Sequence, residues 1–139
     1  MTEDVVYETH LRRAIEPAQV RRLYETVTWG DGRDDDGIAS VIESTVAVGA
    51  WDGDRLIGFT RALSDGRYRA YVEDVMIDPD YRGRKIGEGL VAALLSELAD
   101  IEIVSLFCEP ERVAFYGRNG FSASKSQVMM HRERGRDVS

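Results

Sequence analysis

Apolar and polar positions change period several times along this chain, and each change predicts an element. Val5 to Leu11 alternates and predicts a first strand. Pro17 opens a helical stretch in which Val20, Leu23, Tyr24 and Val27 share one face. Residues 28–37 are rich in glycine and aspartate and predict an exposed loop, followed by a short helix over Ile38–Ser44. Val46, Val48 and Ala50 lead into Trp51. Asp52-Gly53 then predicts a tight turn of type I′, with Leu56–Leu63 as the return strand. A second turn at Ser64-Asp65-Gly66 predicts a third strand over Tyr68–Ile77, ended by Asp78-Pro79.

From Ile86 the period becomes helical: Ile86, Leu90, Val91, Leu94, Leu95 and Leu98 repeat every three or four residues. Ile101–Phe107 predicts a compact strand, Pro110–Asn119 a helix stopped by Gly120, and Phe121–His131 a last strand. The predicted order is β-α-α-β-β-β-α-β-α-β. This is an α+β (mixed α/β) fold, with an antiparallel N-terminal meander and a C-terminal βαβ crossover. At 139 residues the expectation is one domain over 1–139, with 132–139 a flexible tail.

Composition narrows the function classes. A net charge of −7 disfavours a nucleic-acid partner, and no basic stripe with interleaved aromatics appears. The single Cys108 allows no intramolecular disulfide, no run is long enough to span a membrane, and the first ten residues lack a secretory pattern. A cytoplasmic protein without membrane or metal is expected. Cys108 has no histidine motif beside it and is a poor nucleophile candidate.

The chemistry concentrates in Val72–Leu90, where a strand ends, a short glycine-containing loop follows, and the long helix begins. Unpaired N–H groups at such a helix start favour an anion, pyrophosphate above all. Arg82, Arg84 and Lys85 gather positive charge on that loop in an acidic chain. The loop resembles the acyl-CoA pyrophosphate loop of the GNAT superfamily of N-acetyltransferases: Arg82 and Gly87 match its first and last positions, while Lys85 stands where its middle glycine is expected. Glu109–Phe121, with Phe115-Tyr116 and Gly120-Phe121, resembles the family's late helix; Glu109 replaces an asparagine often found there.

The resemblance implies transfer of an acetyl group from acetyl-CoA, as co-substrate, to a primary amine held in the same complex. By the same resemblance Val75, Met76 and Ile77 hold the pantetheine and thioester, and Arg82, Gly83, Arg84, Lys85, Ile86, Gly87 and Glu88 hold the pyrophosphate. Phe115 lies beside the cofactor, and Tyr116 protonates the departing thiolate. It also implies that the strand of Val75–Ile77 splays from that of Ser105–Phe107. The base is Glu73 or Asp74; on a regular strand their side chains point to opposite faces, so only one can serve. Trp29 is the best aromatic candidate for an acceptor pocket. The motifs are similar both to glucosamine-6-phosphate N-acetyltransferases and to serotonin-type N-acetyltransferases, and a small-molecule or peptide amine remains open as acceptor. The alternative is a catalytically inactive acyl-CoA sensor. A homodimer is expected by family analogy only. A dinucleotide-binding fold is disfavoured, because the loop follows a meander and lacks Gly-x-Gly-x-x-Gly.

Overall fold

The computed structural model describes residues 4–30 and 32–135. Among the described residues, five strands form one mixed sheet in chain order: β1 (Val6–Thr9), β2 (Val46–Asp52), β3 (Arg55–Ser64), β4 (Arg69–Ile77) and β5 (Ile103–Ser105). β1 to β4 pair antiparallel, and β4 pairs parallel with β5 across the helix α3 (Ile86–Glu97). Helices α1 (Pro17–Tyr24) and α2 (Asp35–Ser44) precede β2, and α4 (Val113–Gly117) follows β5.

The antiparallel meander and the βαβ crossover match the α+β expectation. α1 and α2 lay Val20, Leu23, Tyr24, Ile38 and Ile42 against Trp51, Leu56, Phe59 and Met76 of the sheet. α3 covers the opposite face: a Cβ built at Gly58 would meet Ala50, Ile77 and Leu90. The buried α3 residues Leu90, Val91 and Leu94 are fully removed from solvent. Each such burial contributes roughly 1.5–3 kcal/mol.

Several predicted boundaries shift for local reasons. α2 begins at Asp35 rather than Ile38, because the Asp34 side chain accepts from the Gly37 N–H as N-cap and Asp35 and Asp36 suit a helix start. The β2–β3 loop is Gly53-Asp54, and only Gly53 has positive φ, so the turn is not type I′, which needs both. β5 is confined to Ile103–Ser105, and the late helix to a 3₁₀ turn over Pro110–Arg112 followed by α4. The predicted strand Phe121–His131 does not form. There the Ser124 hydroxyl accepts the N–H groups of Ser126 and Gln127, drawing them away from any ladder.

The described residues fall into two compact units, one ending at Leu106 and the other starting at Phe107, each described by itself below. Of the predicted tail 132–139, residues 136–139 lie outside the described residues; Arg132–Gly135 are exposed and carry no helix or strand. No helix among the described residues is long and apolar enough to cross a membrane.

Candidate functional site

β4 positions the first group of residues, and it is not a regular strand. Its register against β3 slips between Phe59 and Arg61: Phe59 faces Met76, whereas Arg61 faces Glu73. The slip leaves an extra residue on β4, and Asp74 takes it up at φ 60°, a left-handed conformation that aspartate tolerates better than most residues. The bulge overturns the expectation that Glu73 and Asp74 face opposite ways. Glu73 is the cross-strand partner of Arg61, and Arg61 Nε donates to Asp74 Oδ2 at 2.6 Å, so both carboxylates lie on the α1–α2 face.

Their environments nevertheless differ. Asp74 is 4% exposed and accepts from Tyr24 Oη at 2.6 Å and from Arg61, with Arg33 Nη1 at 3.4 Å from each of its oxygens. Arg33 Nη1 also donates to Tyr24 Oη at 2.9 Å, and its guanidinium lies 4.8 Å from the Tyr24 ring centre. The Trp29 ring meets Tyr24 edge-on, 6.2 Å away, and is half exposed. Burial, reinforced by the hydrogen bond to Asp74, pushes the Tyr24 phenol up to about 12. Burial lowers the proton affinity of Arg61, but the bond to Asp74 and its charge more than offset this, and its pKa rises.

Glu73 is half-buried and accepts from Tyr71 Oη at 3.0 Å. Burial and this bond push Tyr71 up to about 12 as well. Glu73 therefore sits beside one neutral phenol with lone pairs to spare, whereas the Asp74 lone pairs are committed to a phenol and two guanidinium groups.

Sheet pairing on the other side of β4 ends early. β5 accompanies it only from Arg69↔Ile103 to Tyr71↔Ser105, so Val75, Met76 and Ile77 have no β5 partner. The Met76 side chain is buried against the core, leaving the backbone of this stretch as its chemically useful part.

Asp78 then turns the chain. It is 2% exposed, its Oδ1 accepts from the Asp80 N–H, and its Oδ2 accepts from Arg22 Nη1 and Arg55 Nη2, each at 2.8 Å. Burial opposes ionisation of Asp78, but these bonds outweigh it and hold the carboxyl below its ordinary range. The turn delivers Arg82, Gly83, Arg84 and Lys85, all exposed, to the start of α3. Gly83 has φ 80° and open space where a Cβ would point, and Lys85 has φ 64°, a conformation suited to the glycine it replaces. No side chain caps α3, so its first N–H groups are left to an anion or to water, beside half-buried Gly87 and Glu88 and buried Ile86. Arg82 Nε folds back onto the Ile77 carbonyl at 3.2 Å, and the Arg84 guanidinium lies over the Tyr81 ring at 5.2 Å.

In the second unit, half-buried Tyr116 packs edge-on against Phe115 at 4.9 Å and Phe121 at 6.1 Å. Burial raises its pKa, the nearby Cys108 adds to the rise, and Arg112 partly opposes it. The phenol stays protonated at neutral pH.

Thus Glu73, Asp74, Val75–Ile77 and Arg82–Glu88 follow one another along a single strand-turn-helix, while Phe115 and Tyr116 belong to the second unit. Tyr24, Arg33 and Arg61 were not anticipated. A signal existed for Arg61: it interrupts the apolar run Leu56–Leu63, and a cation in such a run calls for a buried partner.

Comparison with known proteins agrees with this geometry. The family model described as Acetyltransferase (GNAT) family matches residues 7–121. An uncharacterized N-acetyltransferase, ycf52, of Porphyra purpurea is 41% identical over 69 residues, 48% of this chain and 40% of that protein. A ycf52-like uncharacterized N-acetyltransferase of Prochlorococcus marinus is 32% identical over 116 residues, 79% of this chain and 64% of that one. This chain thus spans less than two thirds of the length of either relative. A crystal structure of a putative acetyltransferase from Deinococcus radiodurans superposes with a TM-score of 0.79 at 27% identity, covering 94% of this chain and 90% of that one. With 7–121 matched from the first strand through the late helix, this chain belongs to the GNAT family of acetyltransferases.

Proposed function

We propose that this chain transfers the acetyl group of acetyl-CoA to a primary amine by direct attack. The observation that carries the reading is the continuous path from the Asp74 bulge, along Val75–Ile77, which have no β5 partner, to the uncapped start of α3 behind Arg82–Lys85. Such a path suits a ligand with a thioester at one end and a pyrophosphate at the other. The pyrophosphate takes the α3 N–H groups and the loop cations. Backbone N–H groups near Met76 and Ile77 pair with the pantetheine or polarise the thioester carbonyl.

The acceptor arrives as an ammonium, with a pKa near 10 as for lysine. Two protons leave its nitrogen as the new C–N bond forms and the C–S bond breaks. Glu73 takes one, directly or through water, and passes it to solvent; the other ends on the CoA sulfur, with Tyr116 as donor. Glu73 rather than Asp74 is the base, because its carboxylate is half-buried and holds a single phenol, whereas Asp74 is committed to an ion pair. Tyr116 enters from the resemblance of its helix to that of the family, and its raised pKa keeps a proton available.

The test is acetyl-CoA-dependent thiol release against a panel of amines, with Glu73→Gln and Tyr116→Phe as controls. Turnover that falls about 10²-fold or more in either variant supports the roles assigned. Acetyl-CoA binding without turnover of any amine would favour a sensor, and absence of CoA binding would overturn the reading.

A further inference from the structure

The α1–α2 face of the β4 bulge carries more guanidinium than its buried carboxylate can use. Arg33 and Arg61 bring about ten N–H donors between them, and a carboxylate offers about four lone-pair sites, of which Asp74 gives one to Tyr24. The two arginines are held differently. Arg61 is 9% exposed in its side chain and fixed by a 2.6 Å bond; Arg33 is 39% exposed and reaches Asp74 only at 3.4 Å. Arg33 therefore keeps most of its fork for another partner. Glu73 lies directly across the strand pair from Arg61, a separation of about 5 Å between Cβ atoms. A seat for an ammonium and a seat for an anion thus adjoin on one face, in a chain whose net charge of −7 gives no general reason for a cationic patch.

We propose that Arg33, backed by Arg61, reads an anionic group on the acceptor, so that the preferred substrates are amines carrying a carboxylate or phosphate near the amino group. This inference rests on the acetyl-transfer reading above and narrows its substrate class. The half-exposed Trp29, edge-on to the buried Tyr24 ring that the Arg33 guanidinium covers, offers an aromatic surface for the body of such a molecule. Polycationic amines are disfavoured, since two guanidinium groups face the place where a second ammonium would sit. A guanidinium fork matches carboxylate and phosphate alike, so the two sources must be separated by experiment.

The test compares acceptors that differ only in the anion: tryptophan with tryptamine and phenylalanine with phenethylamine for the carboxylate, glucosamine 6-phosphate with glucosamine for the phosphate. In at least one arm the anionic member is expected to show a KM lower by about tenfold or more. Arg33→Gln should erase that preference while KM for acetyl-CoA stays within about twofold, and Arg33→Lys should retain part of it as a point charge without the fork. Equal or better turnover of the neutral members, or a preference that survives Arg33→Gln, overturns the inference and leaves acetyl transfer standing. Absence of thiol release with every acceptor overturns both.

Discussion

Replacing Asp74 by Asn separates the two functions a buried carboxylate beside the bulge can have. Asparagine tolerates φ 60° as well as aspartate does, so the bulge itself is not strained further and the substitution removes charge alone. The amide must still sit against Tyr24 Oη and Arg61 Nε, both now held at 2.6 Å. Both donate to the same carboxylate oxygen, which the amide oxygen can replace, so its NH₂ group is turned towards the Arg33 Nη1 donor, and the Arg61 guanidinium, 9% exposed, loses its counter-charge.

Breaking one partner of a buried ion pair costs about 3–5 kcal/mol. Glu73, directly across the strand pair, can recover part of that, so about 3 kcal/mol is the expected loss. With a urea dependence of roughly 2 kcal/mol per M for a chain of this size, the midpoint of unfolding should fall by about 1.5 M. Glu73→Gln loses one half-exposed phenol bond and should cost no more than about 1 kcal/mol, while reducing kcat by about 10²-fold or more. Urea titration and thiol release on the same preparations decide between the two carboxylates. If the Asp74→Asn midpoint lies within about 0.3 M of the parent while turnover is lost, Asp74 is the base and the division of labour drawn here is wrong.

Three further outcomes follow from single contacts. Lys85→Gly should raise the melting temperature by a few degrees: relief of a left-handed lysine is worth about 1–2 kcal/mol, less about 0.5–1 for the freer unfolded chain. CoA binding should then depend less on ionic strength, as titration at two salt concentrations will show; a lower melting temperature would contradict the strain. In Gly89→Ala the new Cβ would lie 2.5 Å from Tyr7 Oη, so the variant should lose about 1 kcal/mol despite alanine's better helix propensity. The loss should vanish in a Tyr7→Ala background, and a double-mutant cycle without coupling would refute the contact. Tyr24, with a folded pKa of about 12 against an ordinary 10.0, contributes stability that is fully present below pH 10 and lost as pH rises towards 12. Urea midpoints from pH 9 to 12 should show that decline, and Tyr24→Phe should reduce it to the part that Tyr71, likewise raised to about 12, contributes.

Much of this arrangement could be read from the residues, but the decisive irregularity could not. The period of Ile86–Leu98 and the turn formers around Gly53 and Gly66 predict α3 and the meander because burial and chain reversal are local requirements. Val72–Ile77, in contrast, reads Val-Glu-Asp-Val-Met-Ile, a polar pair before three apolar residues that does not state a register, and its burial still alternates in the structure as that of a straight strand does. The bulge appears only when β4 is matched to β3, where one more residue is needed between the partners of Phe59 and Arg61. Register is a relation between two segments, and Asp74 shows it only through a tolerance for positive φ shared by every aspartate. The missing last strand fails for the converse reason. Gln127–His131 has strand-like composition, but the Ser124 hydroxyl offers its neighbours a local alternative to the ladder.

The two buried aspartates of this region, Asp74 and Asp78, share an anchor that explains why both had to be acidic. α1 reaches the first through Tyr24 and the second through Arg22, whose other terminal nitrogen also holds the Leu56 carbonyl. Between these two points run Val75, Met76 and Ile77, and beyond the second the chain turns through Asp80 towards Arg82. One helix, seated on the core by Val20, Leu23 and Tyr24, therefore fixes both ends of the segment proposed to hold the thioester. A regular strand would rely on hydrogen bonds from both neighbours for that rigidity, but β4 lacks β5 beyond Tyr71. Ties from α1 to these two carboxylates stand where the ladder is missing, at the end of β4 that has no β5 partner.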